Sequence, residues 1–264
     1  MPASEPGIRM AAFIGVLALM LLWERLSPRR PLLADNAVRR FNNLALLVLD
    51  TALLRLLFPV LAVGFAAECE ARGIGLFAHL ALPQWLAVLM AVVLLDLAIY
   101  WQHRLFHLIP WFWRMHRVHH SDPHFDTTTA LRFHPFEIII SILIKLAVVA
   151  LVGPPPLAVL LFEVILNATA MFNHGNVSLP PGIERRLRWL LVTPDLHRIH
   201  HSHHGDEMNR NFGFNLSVWD RLFGSFAACP RDGQAGMTIG LGQFRSSRAQ
   251  WLDRLLLQPF RTQD

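Results

Sequence analysis

The sequence predicts an all-α fold: a polytopic membrane helical bundle of about four to five spans with a histidine-rich helical cap on the cytoplasmic side. Hydrophobic residues make up 53% of the 264 residues and are concentrated in long runs, as in proteins that cross a bilayer several times. All of the fourteen histidines except His79 lie between His103 and His204, mostly at helical spacing. The apolar runs predict the bundle, and the histidines predict where its chemistry is concentrated.

Five apolar runs are candidate spans, at residues 10–23, 44–67, 80–101, 135–152 and 156–172. The first run is short, and a cleaved signal peptide is the alternative; we expect an uncleaved span because no small-residue cleavage site follows. Asp50 and Arg55 interrupt the second run and are expected to face other helices, because charges are costly in hydrocarbon. The tight turn at 153–156 leaves the last two runs as either a full hairpin or a shallow re-entrant one.

The distribution of arginine predicts how the chain crosses the membrane. Arginines follow the first and third runs and are frequent after Phe172, whereas only Arg72 follows the second run closely. The positive-inside rule then puts these arginine-rich segments in the cytoplasm and the N-terminus outside. The histidine clusters fall on the same side, which supports one assembled site. Cys69 and Cys229 fall on opposite sides, and we expect both to be free thiols.

Three histidine clusters stand out: His103-x3-His107, His116-x2-His119-His120 and His197-x2-His200-His201. Residues three and four apart share a helix face, so each cluster directs its imidazoles to one place. Neutral imidazole binds iron, zinc, copper and nickel, and one ion cannot use so many ligands, so we predict two adjacent metal ions. With the isolated His134 and His174, the predicted ligands are His103, His107, His116, His119, His120, His134, His174, His197, His200 and His201.

Neighbouring residues allow narrower expectations. Asp96 lies two helical turns before His103, and it is expected either to orient a ligand imidazole or to make a polar contact between helices. Glu137 is placed to orient His134. The remaining histidines on this side break the spacing and are interpreted as surface or supporting residues: His124, His203 and His204.

Several other functions are not supported. The motifs of zinc proteases, serine hydrolases, dithiol sites and dinucleotide-binding folds are absent from the sequence. The arginines follow the membrane topology and form no basic stripe, so we expect no nucleic-acid partner.

These motifs resemble the fatty acid hydroxylase / sterol desaturase superfamily of integral-membrane histidine-rich di-iron oxygenases, and bacterial members in particular. The resemblance covers about residues 90–226 and includes Arg132-Phe-His134-Pro, Asn173-His174-Gly-Asn and the segment 211–224. It implies two iron ions, O2 as co-substrate and a lipid substrate. Some members carry a further histidine shortly after the position of His174; Val177 and Ser178 stand here, so His134 is the candidate to complete the ligand set.

The resemblance implies a reaction in which O2 and two electrons hydroxylate or desaturate an aliphatic C–H bond of a fatty acyl, sterol, carotenoid or related lipid, with hydroxylation expected first. The histidines assigned to catalysis are the three clusters: His103, His107, His116, His119, His120, His197, His200 and His201. The sequence has no attached haem motif, so a separate ferredoxin, cytochrome or reductase is the expected electron donor. The arginine-rich tail is expected to contact either that donor or anionic lipid headgroups.

The expected organisation is membrane spans at 1–80, a catalytic unit at 81–230 and an amphipathic tail at 231–264, in a bacterial inner membrane with the active site on the cytoplasmic side. Two alternatives remain open at this point. A zinc-dependent membrane hydrolase would need about three protein ligands. A non-enzymatic metal-binding protein or carrier would place its ligands near the middle of the membrane.

Overall fold

The computed structural model describes residues 5–31, 37–58 and 60–262, and within these ranges the chain is helical without strands. The α-helices are α1 Glu5–Leu26, α2 Ala37–Leu57, α3 Ala62–Ala71, α4 Gln84–Leu108, α5 Pro110–His120, α6 Pro135–Val152, α7 Pro156–Asn173, α8 Pro181–Leu187, α9 Pro194–His200, α10 Gly205–Met208, α11 Val218–Leu222, α12 Gly233–Gly236 and α13 Leu252–Leu257. Short 3-10 helices lie at Leu76–His79, Thr127–Leu131, Arg248–Gln250 and Gln258–Phe260.

Five helical stretches of the described chain are long and apolar enough to cross a membrane: α1, the stretch Ala37–His79, α4, α6 and α7. This confirms the predicted all-helical bundle and its integral membrane character. The second predicted run is interrupted, because α2 ends at Leu57 and α3 begins at Ala62; residue 59 lies outside the described residues. Helices α6 and α7 each have 18 residues, or about 27 Å, which favours a full hairpin over a shallow one.

Helix α7 is the centre of the bundle and packs against α1, α3 and α4. Its inward face contributes Phe162 to a core that also contains Ala66, Leu95 and Ile142 from three neighbouring helices. Small residues such as Ala66 let the helices approach closely, as is common in membrane bundles.

Two glycines meet at the end of the bundle far from the three histidine clusters. Gly153 ends α6 with φ +63°, a left-handed conformation that side chains other than glycine rarely adopt. A Cβ on Gly153 would lie 2.5 Å from the carbonyl oxygen of Ile74, and a Cβ on Gly75 would lie 2.3 Å from the amide nitrogen of Gly153. The tight turn of the α6–α7 hairpin therefore depends on glycine at both contacting positions.

The C-terminal segment packs back onto the other end of the bundle. Leu255 of α13 is fully buried against Leu46 of α2 and Val118 of α5. The buried Gln258 accepts a hydrogen bond from the Ser121 hydroxyl, at 3.1 Å. The tail expected at 231–264 thus contains a segment that covers α2 and α5. Residues 263–264 of this tail lie outside the described ranges.

Candidate metal centre

Nine histidines converge at the end of the bundle where α4 and α7 finish. They form two groups, in each of which one ring nitrogen per residue lies within 4.8 Å of the others. The first group is His103, His107, His116, His120 and His200; the second is His119, His174, His197 and His201. Helices α5 and α9 contribute to both groups. His116 and His120, four residues apart, share a face and a group, whereas His119, adjacent to His120, points in a different direction and joins the other group.

The two groups lie side by side. The rings of His120 and His201, one from each group, are stacked with centroids 4.5 Å apart. The rings of His197 and His200 are also stacked across the boundary, at 5.2 Å. Two ions held by the two groups would therefore be close neighbours, as predicted from the sequence.

The hydrogen bonds of the rings define which nitrogens are free to bind a metal. Three Nδ1 atoms lie 2.8 Å from backbone carbonyl oxygens: His103 from Phe212, His174 from Ala170 and His200 from Arg210. A carbonyl oxygen can only accept, so each Nδ1 carries the proton of the neutral ring and each Nε2 keeps its lone pair.

Pairs of Nε2 atoms approach each other at 3.0–3.1 Å: His103 with His116, His103 with His200, His119 with His174 and His174 with His197. Burial lowers the pKa of these rings, including His116 and His200, so they are neutral. In the pair of His103 and His200, both rings carry their proton on Nδ1, so neither Nε2 can donate to the other. Facing lone pairs at this distance repel, and a bound cation would reverse the repulsion. The residues therefore fit a metal ion.

Unpaired buried nitrogens support the same conclusion. Among the described residues, Nε2 of His107, Nε2 of His120 and both nitrogens of His201 are buried without a hydrogen-bond partner. A buried polar atom without a partner costs roughly 1–3 kcal/mol. Coordination to an ion would supply the missing partner.

The number and spacing of the nitrogens favour ions of high coordination number. Ligands about 2.1 Å from an ion are about 3.0 Å apart when they lie at right angles and about 3.4 Å apart in a tetrahedron. The observed 3.0–3.1 Å separations match right angles. Five and four imidazoles also exceed the three protein ligands that are usual for catalytic zinc.

Glu137 supports the first group and not His134, which corrects the expectation from the sequence. Its Oε1 lies 2.7 Å from Nδ1 of His116, so the carboxylate orients a candidate ligand.

His134 lies outside both groups. Its Nδ1 accepts the amide proton of Phe136 at 3.2 Å, and its Nε2 donates to the carbonyl oxygen of Leu256 at 3.1 Å. Both of its ring nitrogens are thus used, and His134 caps the start of α6.

Asp96 makes the polar contact between segments that was one of its two expected roles. Its carboxylate accepts hydrogen bonds from the backbone amides of Asn215 and Leu216 and from the indole of Trp219. These bonds hold the segment 211–225 beside α4 and bring the carbonyl of Phe212 against His103.

Sequence reasoning missed two further groups that position the ligands. Asp220 accepts the backbone amides of Phe212 at 2.7 Å and Gly213 at 2.8 Å, directly beside the carbonyl that orients His103. The fully buried Arg132 donates to the carbonyl of Val118 at 2.8 Å and fixes the last turn of α5. The signal available in the sequence was the concentration of charged residues in segments that flank apolar runs.

The histidines predicted to be peripheral are indeed outside both groups. His124 is half-buried, His203 is exposed, and His204 pairs with Asp232 at 2.8 Å.

Comparisons with known proteins agree with this geometry. A sequence model of the fatty acid hydroxylase family matches residues 88–225, more than half of the chain. The ornithine lipid hydroxylase OlsE of Rhizobium tropici is 28% identical over 236 residues, covering 86% of this chain and 69% of that protein. The alkylglycerol monooxygenase of Homo sapiens is 27% identical over 172 residues, covering 63% of this chain and 36% of that protein.

The cholesterol 25-hydroxylase of Homo sapiens is 26% identical over 140 residues, covering 52% of this chain and 50% of that protein. This chain thus spans about a third of the human alkylglycerol monooxygenase and about half of the cholesterol 25-hydroxylase. No solved structure matches significantly. These relatives are hydroxylases or monooxygenases of lipids, which confirms the prediction of an oxidoreductase that acts on lipids. With the family model covering both α4 and the histidine-bearing segments, the chain belongs to the fatty acid hydroxylase family.

Proposed function

We propose that this chain is a membrane-bound non-haem di-iron oxygenase that uses O2 and two electrons to hydroxylate an aliphatic C–H bond of a lipid. The observation that carries the proposal is the pair of buried histidine groups, whose neutral Nε2 atoms face one another at 3.0–3.1 Å. Nine imidazoles would hold the two ions, and His134 would serve the fold. The catalytic unit would be 81–230, around the family match.

The residues around the ions would orient and protect them. Glu137 and the carbonyl of Phe212 would fix the tautomers of His116 and His103, so that both rings present Nε2 to the first ion. Phe125 packs against His174 and His201, and Phe133 stacks on His119 at 4.6 Å. Such apolar rings exclude water from the centre. The iron pair would supply the activation of O2 that side chains cannot provide.

The membrane would supply the substrate. The names of the relatives give an ornithine lipid, an alkylglycerol and cholesterol as their substrates, all of them lipids with aliphatic carbons. A lipid of the same bilayer could reach the end of the bundle without leaving the membrane. The distribution of arginine supports a centre on the cytoplasmic side of the membrane, where a separate electron donor would dock. The similarity to OlsE of Rhizobium tropici supports a bacterial inner membrane.

A zinc hydrolase and a metal carrier are the competing functions. The ligand count exceeds what catalytic zinc uses. The candidate ligands lie at the end of the bundle, whereas a carrier would place them midway across the membrane.

The first test combines metal content with activity. Protein purified anaerobically is expected to contain two irons, and lipids from cells that express it are expected to gain the mass of one oxygen atom. His119→Ala and His200→Ala each remove one predicted ligand and should reduce this product by at least about a hundredfold while membrane insertion is unchanged. His79→Ala, far from the centre, is the control.

Undiminished product formation by both variants would contradict the ligand assignment. Protein that contains zinc and gives lipid cleavage products in place of the oxygen gain would favour a hydrolase. A mass loss of two hydrogens in place of the oxygen gain would assign desaturation.

A further inference from the structure

Three side chains of types that can bind a metal ion meet at the surface, outside the nine-histidine centre. They are His203 and His204, which follow α9, and Asp232, which lies 28 residues further along the chain. One ligand atom from each lies within 4.8 Å of the other two. Nε2 of His204 is 2.8 Å from a carboxylate oxygen of Asp232, and the two imidazole rings have centroids 3.9 Å apart. His203 and Asp232 are exposed, and His204 is partly exposed.

The segment that carries His203 is held in place. The backbone amide of His203 donates to the carbonyl of Thr238 at 3.0 Å, and Ser202 forms an isolated bridge with Ile239. Nδ1 of His203 lies 3.4 Å from the same carbonyl, which favours the tautomer with its proton on Nδ1. Nε2 of His203 therefore keeps a lone pair for a ligand.

The carboxylate of Asp232 is available to a ligand, because the neighbouring cation is paired with another carboxylate. The neighbouring Arg231 pairs with Asp206 at 2.6 Å. Within the described ranges, the only ion-pair partner of Asp232 is His204. A divalent ion could replace that pairing by binding both groups together.

Two imidazoles and one carboxylate are a ligand set that suits Fe²⁺ and leaves several positions to water. Three ligands at the surface, with positions left open to water, bind an ion reversibly. The group thus differs from the buried centre, where the nine histidines would enclose the ions.

The surface group lies next to the buried centre. His201 of the second buried group is fully buried, and His203 follows it by two residues, so their Cα atoms are at most about 7 Å apart. An ion that enters an enclosed centre must first lose its water, and an exposed group of ligands beside it would assist this step.

We propose that His203, His204 and Asp232 bind one exchangeable ferrous ion, and that this ion is the one passed to the buried centre. The surface site stands on its own geometry, whereas the loading role rests on the proposed di-iron function.

The test counts bound Fe²⁺ in the full-length protein under anaerobic conditions. The protein is prepared without a histidine tag, and its buried centre is first loaded with iron. The concentration of free Fe²⁺ is then varied in equilibrium dialysis. We expect one weakly bound equivalent in addition to the buried iron. His203→Gln and the conservative Asp232→Asn should each weaken its binding by about tenfold or more. His124→Gln, a surface histidine outside all three groups, should leave it unchanged.

A second measurement follows the rate at which metal-free protein fills its buried centre at low Fe²⁺. We expect Asp232→Asn to slow this rate while the final buried iron content stays unchanged. Absence of the weak equivalent from the unsubstituted protein, or its persistence in both variants, overturns the surface site. An unchanged filling rate overturns the loading role. Absence of tightly bound iron contradicts the di-iron function. The number of ions bound at the surface site is then still decided by the dialysis measurement.

Discussion

At the scale of single residues, the candidate centre depends on groups that hold imidazoles in one tautomer. Glu137 is the clearest of these, because it is buried and its Oε1 lies 2.7 Å from Nδ1 of His116. A carboxylate that accepts the Nδ1 proton raises the basicity of Nε2 and fixes the plane of the ring. The side chain therefore acts on the metal through His116 without contacting it.

Replacing this carboxylate tests its positioning role. Glu137→Gln keeps the shape of the side chain but removes its charge, and we expect metal affinity to fall by about 10- to 100-fold. The measurement is the iron retained against a competing chelator, with folding followed by thermal unfolding. Glu68→Gln, an exposed carboxylate on α3, is the control. Equal iron retention by the two variants would show that Glu137 has only a structural role.

At the scale of helices, an ionic cluster links α1, α6 and α7 inside the bundle. Glu163 of α7 lies 2.7 Å from Lys145 of α6 and 2.7 Å from Arg9 of α1. Glu163 is buried, and both cations are less than a third exposed. Charged groups in a membrane bundle are expected to face the protein interior and pair with one another, as these do.

The geometry predicts an order of stability for two variants. Glu163→Gln leaves two cations without their common partner and should destabilise the protein by about 2–3 kcal/mol, whereas Lys145→Met leaves Glu163 paired with Arg9 and should cost about 1 kcal/mol. Thermal unfolding in one detergent gives the comparison. Equal losses would mean that the cluster does not hold the three helices together.

At the scale of the whole molecule, the predicted orientation can be tested with cysteine labels. Cys229 is exposed at the histidine end, but Cys69 is buried in the core around α3 and is therefore a poor position for a label. Arg72, at the end of α3, has a side chain that is 67% exposed and is a better position.

Intact cells expressing Cys69→Ser/Arg72→Cys should react with a membrane-impermeant maleimide at position 72, whereas Cys229 should react only after the cells are opened. The positive-inside rule is the physical basis of this expectation. Cys69→Ser alone is the control for labelling at Cys229. Labelling in the opposite order would reverse the topology and place the histidines outside.

The sequence alone specified the class of the fold and most of the candidate ligands, because both depend on local periodicity. Apolar runs long enough to cross a bilayer predicted the bundle, and helical spacing predicted that the imidazoles of each cluster would share a face. Eight clustered histidines and His174 do meet in two groups.

Contacts between distant segments decided the rest. Local spacing suggested Glu137 as a partner of His134, three residues away, but packing of α6 against α5 brings it to His116, 21 residues away. His134 joins neither group, because its two ring nitrogens form hydrogen bonds with Leu256 and Phe136. Which histidines share an ion also depends on how α4, α5, α7 and α9 meet, since periodicity describes one helix at a time and carries no information on its neighbours.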